Sequence, residues 1–274
     1  MTASFLFELY IGNLNLWTLT MDNIFLKLKR LRLQLSEYII PKGYYIQSEP
    51  IFLSTENDFI VSEYPVETIS FNRSLYGNRY APMRDTNRWL LLRLLLNRVS
   101  SLGGGDYAEL GTYQGASARI IYKHMDPSYE LHCFDTFSGF DPRDIVAERE
   151  TSGILASEKD FADSDIASVE KFIRELDLSK TLRLHKGYFP ETFSGLESKE
   201  WRFVHLDCDL YEPIRTGLEN FWPKLVNHGV MVIHDYNSAY IGVKKAVDEF
   251  CQRNLVAPIP YTDKSGSVIL VKQE

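Results

Sequence analysis

Tyr107-Ala108-Glu109-Leu110-Gly111-Thr112-Tyr113-Gln114-Gly115-Ala116-Ser117 is the stretch on which the fold turns. Its first four residues read as a short β-strand, and Ala116–His124 reads as the helix that follows. Glycine lets the backbone turn sharply and approach a ligand closely, and a helix N-terminus offers free N–H groups. The spacing Gly-x-x-x-Gly-x-Ser differs from the dinucleotide Gly-x-Gly-x-x-Gly and lacks the Gly-Lys-Ser/Thr of a P-loop. Taken alone, a plain strand-to-helix connection explains the turn equally well.

Outward from this turn the same alternation recurs. Before it, Asn87–Val99 carries a broad apolar face (Trp89, Leu90, Leu92, Leu94, Leu95, Leu96), and Gly103-Gly104-Gly105 ends that helix. Beyond it, strands are predicted at Glu130–Phe134, Thr181–His185, Phe203–Leu206 and Val230–Ile233, with a C-terminal pair at Pro258–Tyr261 and Ser267–Val271. The helices between them are predicted at Ile166–Leu176, Pro213–Leu225 and Val243–Arg253. Crossovers of this length argue an α/β architecture: a mostly parallel seven-stranded sheet with helices on both faces. Ligands of such sheets bind beyond the carboxyl ends of the strands, where strand order reverses. The residues just after each strand are therefore the ones to read for chemistry.

The second strand ends in Phe134-Asp135, where a carboxylate can accept two hydrogen bonds from a ribose diol. Together with the glycine turn this points to a nucleoside-containing cofactor, NAD or S-adenosylmethionine, with the glycine spacing leaning to the latter. After the fourth strand comes His205-Leu206-Asp207-Cys208-Asp209-Leu210-Tyr211-Glu212-Pro213, and after the fifth comes His234-Asp235-Tyr236-Asn237. If these strands are neighbours, Asp207, Asp209, His234 and Asp235 converge at one end of the sheet. Carboxylates gathered without a nearby basic residue raise one another's pKa, and a divalent cation relieves this. Oxygen ligands suit Mg²⁺, and an imidazole among them admits Mn²⁺, Fe²⁺ or Zn²⁺. The competing account makes Asp207 and Asp235 helix caps and leaves Asp209 in solvent.

Composition limits the alternatives. The 274 residues are 45% hydrophobic and carry a net charge of −7, which suits a folded core and disfavours a nucleic-acid track. The three cysteines, Cys133, Cys208 and Cys251, are scattered and form no CxxC pair, so reduced thiols are expected. Polar residues break the apolar patches of the first twenty positions, which read as neither signal peptide nor membrane span; the expected compartment is the cytoplasm. Residues 21–40, with Lys27, Lys29, Arg30 and Arg32, read as an amphipathic element that either packs on the domain or meets a membrane or partner. Residues 41–82 read as irregular structure or a short lid.

Six ordered motifs resemble the macrocin O-methyltransferase family of metal-dependent class I enzymes. They are Met83 to Arg88; Glu109-Leu110-Gly111 with Gly115-Ala116-Ser117; Phe134-Asp135-Thr136-Phe137-Ser138-Gly139-Phe140; Lys186-Gly187-Tyr188-Phe189-Pro190-Glu191-Thr192; His205 to Tyr211; and Ala246-Val247-Asp248-Glu249-Phe250. The resemblance runs from about Pro82 to Gly266. It implies a class I methyltransferase (Rossmann-like) domain over 83–274 that takes S-adenosylmethionine. The expected cofactor contacts are Met83, Glu109, Gly111, Tyr113, Gly115, Ser117, Asp135, Thr136, Gly187, Tyr188 and Asp207. It also implies a divalent metal on Asp207, His234 and Asp235, Mg²⁺ by family habit, and Asp209 as general base. Here the chain departs from the family, whose metal pair is usually Asp-Asp where this chain has His234-Asp235. Imidazole is a poor Mg²⁺ ligand, so Mn²⁺, Fe²⁺ or Zn²⁺ enters, as does a metal-free role for His234 as base. Ser138 replaces a usual acidic residue.

The resemblance further implies that residues 1–82 form a lid and dimer contacts, and that the acceptor is a small hydroxyl compound such as a sugar. A nucleotide-sugar-modifying oxidoreductase on a Rossmann sheet is the second enzyme reading, and a non-catalytic cofactor-binding protein the third. The first of these alternatives wants dinucleotide glycine spacing, which is absent.

Overall fold

The computed structural model describes residues 86–175, 177–238, 240–263 and 265–273. The expected extension 1–82, its amphipathic element and Met83 lie outside them. Chain order is α1 (Thr86–Val99), β1 (Asp106–Leu110), α2 (Ala116–His124), β2 (Glu130–Asp135), α3 (Pro142–Ser152), α4 (Ile166–Arg174), β3 (Thr181–Lys186), β4 (Trp201–Leu206), α5 (Tyr211–Phe221), β5 (Leu225–Ile233), α6 (Ile241–Asn254), β6 (Ile259–Tyr261) and β7 (Ser267–Val271).

The seven strands form one sheet in the order β3-β2-β1-β4-β5-β7-β6. β1 to β5 pair in parallel, while β7 runs antiparallel to β5 and β6 antiparallel to β7. Strand order reverses between β1 and β4, which places the switch point at the end of the opening glycine turn. Helices cover both faces, so the central strands have no solvent side. β4 is buried along its whole length, Trp201 to Leu206, despite holding Arg202 and His205. Those two are accommodated by partners. Arg202 Nε donates to the carbonyls of Gly104 and Gly105, its guanidinium lies 3.6 Å from the Tyr129 ring centre, and His205 pairs with Glu109.

The sequence reading and the structure differ most at three elements. α3 was not expected, because Pro142–Ser152 (PRDIVAERETS) has no apolar stripe. It is fixed at its ends instead: the Asp141 side chain accepts from Arg143 N, Pro142 occupies the first turn, and Gly153 closes the helix in a left-handed conformation. α5 starts at Tyr211, two residues before Pro213, since proline is tolerated in a first turn, and Trp222–Lys224 continues it only as a 3-10 turn. β5 begins at Leu225 rather than Val230. His228 N donates to Lys272 O and Lys272 N to Gly229 O, which holds Asn227-His228-Gly229 as strand. Among the described residues no helix is long and apolar enough to cross a membrane.

Candidate active site

A cavity of about 390 Å³ opens at the carboxyl ends of β1, β2, β4 and β5. Four non-glycine residues in left-handed conformation mark the four strand ends: Tyr113 (φ 49°), Phe137 (φ 50°), Asp209 (φ 61°) and Asp235 (φ 61°). Such backbone costs on the order of 1–3 kcal/mol per residue and persists only where surrounding bonds enforce it.

On the β1–β2 side, the enforcing group is Asp135. Its Oδ2 accepts from Tyr113 N at 2.7 Å and its Oδ1 from Phe137 N at 2.6 Å, so one carboxylate ties the glycine loop to the loop after β2. The sequence reading kept both oxygens for a ribose. In the structure each already receives a backbone N–H, and only its remaining lone pairs are available to the cavity. Burial raises the Asp135 pKa, and these backbone bonds oppose the rise. Gly111 (φ +88°) must be glycine. A Cβ there would stand 2.1 Å from the carbonyl oxygen of Asp207, because Asp207 N donates to Leu110 O and the two loops cross in contact.

Of the expected cofactor contacts, Gly111, Tyr113, Ser117, Asp135, Thr136, Gly187, Tyr188 and Asp207 line the cavity. Glu109 and Gly115 do not. Glu109 is wholly buried behind the loop, with Oε1 3.0 Å from His205 Nδ1, and burial raises its pKa against the pull of that histidine. Gly115 faces away, where a Cβ would meet Val169 and Ile173 of α4; its role is helix packing.

On the β4–β5 side the expected quartet assembles, because β4 and β5 are neighbours in register and His234 N donates to Leu206 O. Asp207, Asp209, His234 and Asp235 all line the cavity. His234 Nδ1 stands 2.9 Å from Asp207 Oδ1 and 2.9 Å from Asp235 Oδ2, within ion-pair reach of both, while Nε2 makes no hydrogen bond. Two carboxylate oxygens and an imidazole nitrogen converging in this way suit a divalent cation, of a kind that accepts nitrogen as well as oxygen.

One premise of the sequence reading is corrected here: the carboxylates do have a basic neighbour. Arg88 of α1, 119 residues away in sequence, places its guanidinium against Asp207 Oδ2. Burial works against charge on Asp207, but Arg88 and His234 hold its carboxyl well below the usual range. Burial and Arg88 oppose a proton on His234, while Asp207 and Asp235 favour it and raise its pKa to about 10. Asp209 goes the other way: burial, then Asp235 and Asp207, push its pKa well up.

A further part of the cavity wall carries no expectation from the sequence. It includes Phe140, Asp141, Asp144 and Phe161, brought in by the start of α3 and the segment after it. Tyr188 Oη donates to Asp144 Oδ1 at 3.1 Å, and the Arg143 guanidinium stands 3.4 Å from the centre of the Tyr188 ring. The Asp141-Pro142 pair before Gly153 was the available signal for this helix.

Residues 108–236 match the methyltransferase domain family. A curated relative, the 8-demethyl-8-(2,3-dimethoxy-alpha-L-rhamnosyl)-tetracenomycin-C 4'-O-methyltransferase of Streptomyces olivaceus, is 27% identical over 175 residues. That match takes in 59% of this chain and spans 64% of the relative's length. Solved structures share the domain's fold. The O-methyltransferase NovP superposes with a TM-score of 0.56 at 22% identity, covering 70% of this chain and 82% of its own. The calicheamicin methyltransferase CalS11 gives 0.55 at 15% identity, covering 83% and 98%. TomG from Streptomyces achromogenes, solved in complex with S-adenosylmethionine, gives 0.52 at 13%, covering 76% and 88%. The fold is thus the one these solved methyltransferases share, a mostly parallel seven-stranded sheet covered by helices.

Proposed function

We propose that this protein is an S-adenosylmethionine-dependent O-methyltransferase of the macrocin type, acting on a hydroxyl of a sugar or another small polar acceptor with the help of a divalent cation. The observation that carries this reading is that one cavity joins the Gly111–Ser117 turn and Asp135 to Asp207, Asp209, His234 and Asp235. The first set suits a nucleoside and its sulfonium, the second an acceptor hydroxyl. The tetracenomycin relative, a 4'-O-methyltransferase of a rhamnosyl compound, and CalS11, a TDP-rhamnose 3'-O-methyltransferase, favour a deoxysugar acceptor. The lining favours a neutral one: among the described residues it holds Asp135, Asp141, Asp144, Asp207, Asp209 and Asp235 against Arg88 and His234.

In this reading Asp207, His234 and Asp235 hold the cation, which when bound supplies Lewis-acid polarisation of the acceptor oxygen. Burial first, and then Asp235 and Asp207, push the Asp209 pKa up, and a cation held beside those two carboxylates would offset their share and favour Asp209 as base. S-adenosylmethionine, when bound, would supply the methyl group to the acceptor oxygen and keep the C–S electron pair on its sulfur, and Asp209 would take the hydroxyl proton. Gly111, Tyr113, Ser117, Gly187 and Tyr188 shape the cofactor's side, and Asp144, bonded to Tyr188, faces the acceptor.

A second reading has one observation in its favour. Arg88 and a protonated His234 already balance Asp207 and Asp235, which permits a metal-free enzyme. Calorimetry with S-adenosylhomocysteine, followed by transfer of labelled methyl to methyl glycosides before and after chelation, separates the two. No binding of S-adenosylhomocysteine would sink both; transfer surviving exhaustive chelation would leave the metal-free one. Residues 1–82 are assigned to closing the site and to a homodimer. A chain beginning at residue 83 that proved as active as the full one would refute the first assignment, and a monomeric full chain the second.

A further inference from the structure

The helices that begin directly after the two acidic loops have no cap of their own. α5 follows Asp209, and its N-cap, Leu210, offers no side-chain acceptor. α6 follows the His234–Tyr240 loop, and its N-cap, Tyr240, offers none either. α3 and α4, by contrast, are each capped locally, by Asp141 and Asp165. A first turn leaves several N–H groups unpaired, and a buried one must find an acceptor.

Both find the same acceptor on α3. Glu148 is completely buried, and its carboxylate is shared between the two helices. Tyr211 N donates to Oε2 at 2.7 Å, Gly242 N donates to Oε1 at 3.2 Å, and Ser152 Oγ donates to Oε1 at 2.7 Å. The approach to α6 is possible only at glycine, since a Cβ on Gly242 would lie 2.0 Å from Glu148 Oε2. A buried carboxylate with no cationic side chain among these partners is stabilised by the positive ends of two helices and by charge-assisted bonds.

We propose that Glu148 is a positioning residue for the acidic site: its carboxylate clamps the first turns of α5 and α6 together and thereby sets the spacing between the Asp207–Asp209 loop and the His234–Asp235 loop. The proposal rests on the reading of those loops as a cation and base site. Asp209 stands two residues before the clamped Tyr211, and Asp209 and Asp235 are the two strained residues the clamp must hold in register. A carboxylate can accept from both N–H groups. The amide of Glu148→Gln keeps the size but turns an NH₂ toward one of them, so one half of the clamp opens.

The test uses the full-length protein, Mn²⁺ alone as the probe of the acidic site, and S-adenosylhomocysteine as the probe of the other side. In Glu148→Gln the Mn²⁺ Kd should rise roughly 10–100-fold, the usual cost of losing a group that orients metal ligands, with S-adenosylhomocysteine affinity unchanged. A mere stability role would lower the melting temperature and leave the Mn²⁺ Kd of the folded protein alone. Gly242→Ala, which pushes the native carboxylate aside, should reproduce the effect, and it decides the matter if Glu148→Gln does not fold. Mn²⁺ affinity within about twofold of the parent in the folded variants overturns the proposal. If the parent itself binds no Mn²⁺, the cation reading fails separately, and hydrogen exchange judges the clamp. Faster exchange at Tyr211, Gly242 and the two acidic loops, with β1 and β4 unchanged, upholds it; unchanged exchange there overturns it.

Discussion

Three residues of the cavity carry separable expectations. Asp209→Asn removes the proton acceptor at constant size, so kcat should fall roughly 10²–10⁴-fold while S-adenosylhomocysteine affinity holds. A fully active variant would remove Asp209 from the role of base. His234→Asp restores the acidic pair usual in the resembled family. If His234 is a ligand, this variant keeps activity and uses Mg²⁺ more readily; if His234 is the base, it is dead. Asp144 yields a pH expectation that needs no acceptor. Its pKa is raised to about 7, by burial first, against the Tyr188 hydrogen bond and with the added push of Asp141. An unfolded aspartate ionises near pH 4, so between about 4 and 7 the folded state holds the extra proton and stability falls as pH rises. Melting curves of the parent and Asp144→Asn across that window should diverge, the variant gaining relative stability toward pH 7. Parallel curves would show that the Asp144 carboxyl ionises normally.

At the scale of elements, what sequence reveals is what repeats or is local. β1, β2, β4 and β7 are short, mostly buried, β-rich runs bounded by turns and were legible as strands, as was the amphipathic α2. Asp207, Asp209, His234 and Asp235 were legible because each follows a strand end. Arg88 was not, because only the packing of α1 brings it to Asp207. α3 was illegible for the same reason, since its inner face is polar and binds through Glu148 and Asp144 rather than through an apolar stripe. The crossing of the glycine turn over β4 lies between these cases: the glycines are visible, but the contact that demands one of them is not. Gly111→Ala puts a methyl group into the Asp207 carbonyl at a left-handed position. Overpacking plus backbone strain should cost about 2–5 kcal/mol in urea unfolding. A loss under about 1 kcal/mol would mean that the two loops part easily.

At the scale of the whole molecule, ligands that bind only the folded state raise its stability by mass action, and this gives each side of the cavity a readout of its own. S-adenosylhomocysteine at about 100 times its Kd should add about 2.7 kcal/mol, or roughly 5–10 °C in Tm for a domain of this size. Mn²⁺ at the same relative excess should add a comparable increment. The two should separate by mutation. Asp135→Ala removes the bonds to Tyr113 N and Phe137 N that hold the glycine loop. With the proposed ribose contact also lost, its response to S-adenosylhomocysteine should shrink by roughly 1–3 kcal/mol while that to Mn²⁺ persists. Asp207→Asn should do the reverse. The fold offers an internal control, because Asp106, Glu130 and His132 form a second group with metal-ligand spacing at the other end of the strands. There the Lys199 ammonium already bonds Asp106 at 2.5 Å and Glu130 at 3.0 Å, which supplies the positive charge a cation would bring. A Mn²⁺ response that survived Asp207→Asn but vanished with Glu130→Gln would move the cation to that distant group and leave Arg88 and His234 as the balance of the acidic loops. Loss of the response with Asp207→Asn alone keeps the cation beside Asp209, where a proton must leave the acceptor.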